Sequence, residues 1–271
     1  MKVMEINLKK HLRVFFQLKK LGFMKKAIYR ADFVVLLVAV LIQVALSVYF
    51  IKIVYSYVND IAGWSYPETL LAVANYMIID GILWMLFGQV RGIMNHIRYG
   101  TFDGILIKPI NSQFLTSVWE GDLEDGVRII IGVAVIVYAL NQLNLSIESI
   151  LVNGIFYIIL LINATLIAYS FMLVIRSISF WVINGYALFN LSEALLRVTQ
   201  YPTDIFYHSI VRTFFTVLLP LAFIATVPAK VLARGFDWQL VLGSCAMALI
   251  FFTLSRKFWL FALKHYQSAS S

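Results

Sequence analysis

The charge-free stretches of this chain leave it few possible folds. Phe33–Ile51 runs for 19 residues without a charged side chain, and Ser149–Ser192 holds one, Arg176, in 44 residues. A helical crossing of a bilayer takes ~20 apolar residues at a rise of about 1.5 Å each. The first run therefore predicts one span, and the second predicts two, joined tightly at Arg176. The composition points the same way, with 61% hydrophobic and 13% charged residues, where a soluble domain carries about 25% charged. A soluble enzyme is excluded, and the expected class is an all-α polytopic membrane protein.

Read in order, the chain divides into a basic amphipathic arm at 1–30 and a membrane domain at 31–271. Six spans are expected, at about 33–57, 69–90, 127–145, 149–175, 178–198 and 238–263. Lys52 falls near the far end of the first and can reach the headgroups. The segment 201–234 behaves differently, because it holds Pro202, Pro220 and Pro228, three of the five prolines. Proline interrupts the helical ladder, and broken apolar backbone is tolerated at membrane depth where other protein covers it. The segment reads as a re-entrant helical hairpin at the outer face. The rival reading is a true span at Ile205–Ala225, with 177–200 lying along the inner surface.

Charge sets the orientation. The first 30 residues hold nine Lys and Arg against the single acid Glu5, which equals the whole formal charge of +8. Such an arm suits an anionic cytoplasmic leaflet rather than nucleic acid. Within it, Leu8, Leu12, Phe15, Phe16 and Phe23 cluster on one side of a helix over 5–27, while Lys19 and Lys26 spoil that face. No small-residue cleavage site precedes the first span, so no cleavable signal peptide is expected. The loop Asn59–Glu68 carries Asp60, Glu68 and no Lys or Arg. Both termini then fall inside, and Lys230 and Arg234 are the exceptions to the positive-inside pattern.

Motifs for covalent chemistry are missing. The dipeptide Gly-Lys does not occur, so the chain has no P-loop of its own. The four histidines are scattered, no Gly-x-Ser-x-Gly is present, and the single Cys245 lies in an apolar run. No catalytic residue, metal site or cofactor of its own is expected. Asp80 is the sharpest polar residue, placed near the middle of the second span, where an ionised carboxylate costs ~2.5–3.5 kcal/mol. It reads either as a point on a translocation path or as a structural hydrogen-bond partner. Asn75 and Asn184 are candidates for the same path, although span asparagines more often join helix to helix. Glu120, Asp122, Glu124 and Asp125 form an acidic lead-in to the third span.

The stretch Arg98–Pro109 is a short polar break between apolar runs, flanked by Arg91, Arg98 and Lys108. Thr101 is placed to cap a short helix, and Pro109 marks where that helix stops. Gly100-Thr101-Phe102-Asp103-Gly104-Ile105-Leu106-Ile107-Lys108-Pro109-Ile110 resembles the Gly-x-x-x-x-x-Leu-x-Lys-Pro-Ile turn of ABC-2-type permeases of the six-span branch. Tyr201-Pro202-Thr203-Asp204-Ile205-Phe206 and Leu219-Pro220-Leu221-Ala222-Phe223, followed by Val227-Pro228-Ala229, agree in order and spacing. The resemblance implies an exporter subunit in a bacterial cytoplasmic membrane, paired with a second permease, identical or different, and with two copies of an ATPase that binds ATP and Mg. Thr101, Phe102, Asp103, Gly104, Ile105, Leu106, Lys108 and Pro109 would form the coupling helix seated on that ATPase. The second and fifth spans would line the path, and Pro202, Arg212, Pro220 and Pro228 would belong to an outer gate. The cargo expected is amphipathic, drug-like or lipid-like. The alternative is an ion- or proton-coupled carrier, or a scaffold, with Asp80 as a proton site.

Overall fold

Helices account for all the regular structure in the computed structural model, which describes residues 8–28, 30–119, 125–182, 186–206 and 208–266. Glu120, Asp122, Glu124 and Asn184 lie outside the described residues. In chain order the helices are α1 (Leu8–Ile28), α2 (Arg30–Tyr55), α3 (Tyr66–Phe87), α4 (Ile93–Arg98), α5 (Asp103–Leu106) and α6 (Ser112–Val118). They continue with α7 (Gly126–Leu143), α8 (Ile147–Ser177), α9 (Tyr186–Val198), α10 (Ser209–Thr213), α11 (Thr226–Arg234) and α12 (Trp238–Lys264).

Five helical stretches are long and apolar enough to cross a membrane: Val34–Tyr55, Tyr66–Arg98, Gly126–Leu143, Ile147–Phe180 and Trp238–Lys264. We call the end of the bundle that carries the 56–65 loop the upper end, and the opposite end, which carries the 88–119 connection, the lower end. Three of the long helices begin where the chain offers a cap. Ser146 Oγ accepts from Ser149 N–H at 3.3 Å at the start of α8. Asp237 Oδ1 accepts from Gln239 N–H at 2.8 Å at the start of α12. At the start of α3, Ser65 N–H donates to Glu68 Oε2 at 2.8 Å, one half of a capping box.

The centre of the bundle is α3, whose side chains from Thr69 to Trp84 are mostly buried. Its closest neighbour is α7, and two glycines set that distance. A Cβ on Gly132 would lie 2.6 Å from Ile78 Cγ1, and one on Gly81 would lie 2.8 Å from the Asp125 carbonyl oxygen. Small residues let the two backbones approach, as membrane helices commonly require. α12 packs along α8 on the other side.

Two expectations change here. The long α8 does not turn at Arg176; the helix runs on through a 3-10 turn at Ile178–Phe180 and leaves helical geometry at Trp181–Val182. Arg176 is tolerated because it is buried and partnered. Its Nη2 sits 3.3 Å from Glu193 Oε1, and its guanidinium lies 4.1 Å from the centre of the Phe189 ring. The expected span at 178–198 is represented by α9, of 13 residues, about 20 Å at 1.5 Å per residue and short of a ~30 Å hydrocarbon core.

The arm at the N-terminus forms α1, and Lys19, which breaks its apolar face in sequence, is the residue that docks it. Lys19 Nζ donates to Met85 O at 3.0 Å and Leu86 O at 2.9 Å. These are carbonyls in the last turn of α3, where a cation is favoured by both hydrogen bonding and the helix dipole. Lys10 Nζ also donates to Pro109 O.

Candidate functional site

The turn at 98–110 is built on α4 and α5 at the lower end. Its inner face is Phe102, Ile105 and Ile110, all buried. Phe102 anchors it in an aromatic cluster, with ring centres 5.3 Å from Phe180, 6.2 Å from Trp259 and 5.1 Å from Tyr266. α12 and the end of α8 thus hold the turn from behind. Lys108 Nζ lies 3.6 Å from the centre of the Trp119 ring, which pins the far side to α6.

The outer face of the same turn is exposed. Tyr99 is 70%, Ile107 83% and Leu106 37% exposed. Thr101, Gly104 and Pro109 lie among them, with Asp103 half-buried at the start of α5. Nothing lies within 4 Å of where a Gly104 Cβ would be. Thr101 does not cap α5, because Phe102 occupies the N-cap position and makes no side-chain cap bond. The Thr101 hydroxyl is instead 2.8 Å from His96 Nδ1, at the end of α4. Tyr99 and Ile107 were not singled out from sequence. The alternation of buried Phe102 and Ile105 with exposed Tyr99 and Ile107 is visible only once the turn has a fixed inner face.

Asp80 lies in α3 beside the start of α7 rather than level with its middle. Arg128, two residues from the start of α7, has Nη1 3.6 Å from Asp80 Oδ2 and Nε 2.8 Å from Asp125 Oδ1. Trp84 Nε1 donates to Asp80 Oδ1 at 2.8 Å, and Arg128 Nη2 donates to Gln43 Oε1 in α2 at 3.0 Å. Asp80 is therefore paired and hydrogen-bonded where it is buried, as an intramembrane acid generally must be. Arg128 ties α2, α3 and α7 together through it.

Asn75 is fully buried and joins three elements. Its Nδ2 donates to Ala225 O at 3.3 Å, and Tyr157 Oη donates to its Oδ1 at 2.6 Å. Asp80 and Asn75 do not meet.

At the upper end, the segments 201–206 and 226–234 close against the 56–65 loop. Ala62 (φ 53°) and Gly63 (φ 75°) turn the loop so that Ile61 and Trp64 exchange backbone hydrogen bonds of 3.0 Å. Gly63 needs that left-handed backbone, which other residues rarely adopt. The turn buries Trp64, whose Nε1 donates to Asp204 Oδ2 at 3.1 Å. Lys230 Nζ is 2.6 Å from Asp204 Oδ2, and Arg212 Nη2 is 3.5 Å from Asp204 Oδ1. Arg234 Nε is 2.7 Å from Glu68 Oε1, and its Nη2 donates to Gly63 O at 2.7 Å. Burial raises the Asp204 carboxyl, but the Lys230 hydrogen bond and charge, the Trp64 bond and Arg212 outweigh it and hold it below the usual carboxylate range.

The expected gate residues fall around this cluster. Pro202 is buried at the N-cap of the 3-10 turn Thr203–Ile205. Pro228 sits in the first turn of α11, where a missing N–H costs nothing. Pro220 separates a π-helical turn at Phe214–Leu218 from a 3-10 turn at Leu221–Phe223. Lys230 and Arg234, the exceptions in the charge pattern, are both neutralised here. The Ser-x-x-Glu spacing at Ser65 and Glu68 was the sequence signal for part of this cluster, and the remaining pairs bridge too much sequence to be read locally.

No curated protein and no solved structure matches the chain. A family described as ABC-2 family transporter protein matches residues 41–270. That match runs from within α2 past the end of α12 and takes in the turn, the Asp80 pair and the upper cluster described above. On this match the chain belongs to the ABC-2 transporter family, as an ABC-2-type permease.

Proposed function

We propose that the chain is the membrane subunit of an ATP-driven exporter, energised by a separate ATPase docked on the 98–110 turn. The observation that carries this is the turn's two-sided character. One face is locked into the bundle by Phe102 and Ile105, and the other presents Tyr99, Leu106 and Ile107 to solvent. A lever needs a rigid root and a free apolar contact face, and a hydrophobic patch of this kind on a polar rim marks a protein contact. ATP and Mg belong to the partner. Closure of two ATPase subunits pushes the turn, and the push reaches α3, α8 and α12 through the aromatic cluster, tilting two permeases about their shared interface. The second permease is a copy of this chain or a relative, and the cargo is an amphipathic molecule.

The lower end faces the cytoplasm of a bacterial cell in this reading, with both termini there. In this reading the sixth crossing is made by α9 together with the turn and 3-10 residues that follow it. Glu193 meets Arg176 near the lower end of α8 and Asp204 meets Trp64 at the upper end, which supports reading 193–204 as part of that crossing. The segment 205–225 then dips and returns as a re-entrant hairpin. The pairing of Asp80 with Arg128 supports a structural role for that acid over a proton site.

The test is ATP hydrolysis by the complex purified from its native membrane through a tag on this chain. The wild-type preparation hydrolyses ATP. Leu106→Asp with Ile107→Asp lowers the activity recovered per permease at least about tenfold, while the permease still inserts. Undiminished activity in that variant overturns the assignment.

A further inference from the structure

A cavity of about 850 Å³ lies between α1, α3, α6, α8 and α12 in the lower half of the bundle. Its size is within the ~300–1,000 Å³ of ordinary ligand sites. Most of its wall is apolar, with Leu12 and Phe15 from α1, Leu86 from α3, Leu161 from α8 and Phe252 from α12. Leu12 and Phe252 on its wall are exposed at 49% and 39%, so the cavity is not sealed from its surroundings.

Besides His11 and Thr165, the polar groups of the wall form one hydrogen-bonded network. Arg256 Nη1 donates to Gln113 Oε1 at 2.6 Å and to Asn111 Oδ1 at 3.2 Å. Gln113 Nε2 donates to Tyr169 Oη at 3.2 Å, and Tyr169 Oη is 2.7 Å from Ser117 Oγ. Gln113, Ser117 and Tyr169 are all buried. Arg256 is half-buried within an apolar helix, and among the described residues it has no carboxylate partner. The sequence places it near a helix end with Lys257 and Lys264, but it lies two turns inside α12 and is held in place by α6. A guanidinium fixed by neutral oxygens retains its charge and its remaining N–H donors for a ligand. Lys9 and Arg13 are exposed on α1, the helix whose Leu8, His11, Leu12 and Phe15 line the cavity.

We propose that this cavity binds one acyl lipid with an anionic phosphate headgroup, its phosphate on Arg256 and a chain among Leu12, Phe15, Leu86 and Leu161. Charge complementarity selects the occupant. A cationic amphiphile would meet Arg256, and a neutral one would leave the guanidinium unanswered at low dielectric. The inference needs only that the chain is lipid-embedded, and holds whether the lipid is cargo or resident.

Native mass spectrometry of the full chain in a neutral maltoside tests it, with phosphatidylglycerol and phosphatidylcholine of the same chains as probes. Wild type retains one phosphatidylglycerol, preferred at least about tenfold over phosphatidylcholine. Arg256→Gln brings the two lipids to near parity, and Arg256→Lys restores part of the preference. Leu161→Trp fills the cavity and removes the retained lipid. Since a bulky group there can disturb α8, Leu12→Gln on α1 is the second arm, and it weakens both lipids equally. Free glycerol phosphate does not displace the bound lipid. Preference unchanged in Arg256→Gln, lipid retained in both Leu161→Trp and Leu12→Gln, or displacement by glycerol phosphate overturns the site. Ile107→Asp leaves lipid retention unchanged while the ATPase contact is lost, so failure here and failure of the exporter assignment are separate results.

Discussion

The two ends of the bundle treat their exposed side chains in opposite ways. At the upper end, Glu68 and Asp204 are each answered by a cation, Arg234 and Lys230, and Trp64 is buried beneath them. At the lower end, the 98–110 turn buries one apolar face and leaves Tyr99, Leu106 and Ile107 in solvent. The first arrangement is satisfied within one chain. The second is not, and it gains by burial against something else. A family of membrane subunits that borrow energy from elsewhere has reason to keep one end closed on itself and the other ready for contact.

Substitutions can break this contrast in graded steps. Ile105→Asp has the largest effect, because Ile105 is 4% exposed on the inner face of the turn. A carboxylate there has no partner and costs on the order of 4 kcal/mol. Folded protein recovered after detergent extraction drops sharply, and near wild-type recovery would show that the turn has no rigid root.

Asp204→Asn comes next. It removes the charge that answers Lys230 and Arg212 and one of the two acceptor oxygens, leaving a half-buried lysine without a counter-charge, at about 1–2 kcal/mol after allowing for solvent screening. The sign with pH follows from the depressed carboxyl. Wild-type Asp204 contributes its full stabilisation above the unfolded value near about 3.9 and loses it as pH falls through the lower native value. The melting-temperature gap between wild type and Asp204→Asn is therefore widest at neutral pH and closes in acid. A gap independent of pH would place the cost in packing.

Arg212→Ala is smaller. Arg212 is 50% exposed in its pair with Asp204, and exposed pairs are worth about 0.2–1 kcal/mol. A melting shift as large as that of Asp204→Asn would make Arg212, rather than Lys230, the main partner. Ile107→Asp is the smallest in stability, within about 0.5 kcal/mol. Paired with Ile105→Asp, it separates root from contact face on adjacent sides of one turn. Equal destabilisation by the two would erase the distinction.

Much of this was legible along the chain. The apolar runs predict six crossings, because a bilayer's thickness demands ~20 residues wherever they fall, and helices long and apolar enough to cross stand at five of the six, the exception being 178–198. The turn was legible as a break with Gly and Pro at its limits, although the capping role assigned to Thr101 went to no side chain. Less could be read where partners are far apart in sequence. Asp80 looked like a central charge because span 2 alone gives no neighbour, and only the packing of α3 on α7 supplies Arg128. Lys19 looked like a flaw in an amphipathic face and is the anchor of α1. Lys230 and Arg234 looked misplaced until Glu68 and Asp204 met them.

The sequence by itself determined that this chain lives in a membrane as a bundle of helices, since hydrophobic length and charge placement act residue by residue. Tertiary structure alone decided which charges are spent internally and which surfaces remain open, because the energy of an ion pair or a buried ring depends on a partner that the linear order does not supply.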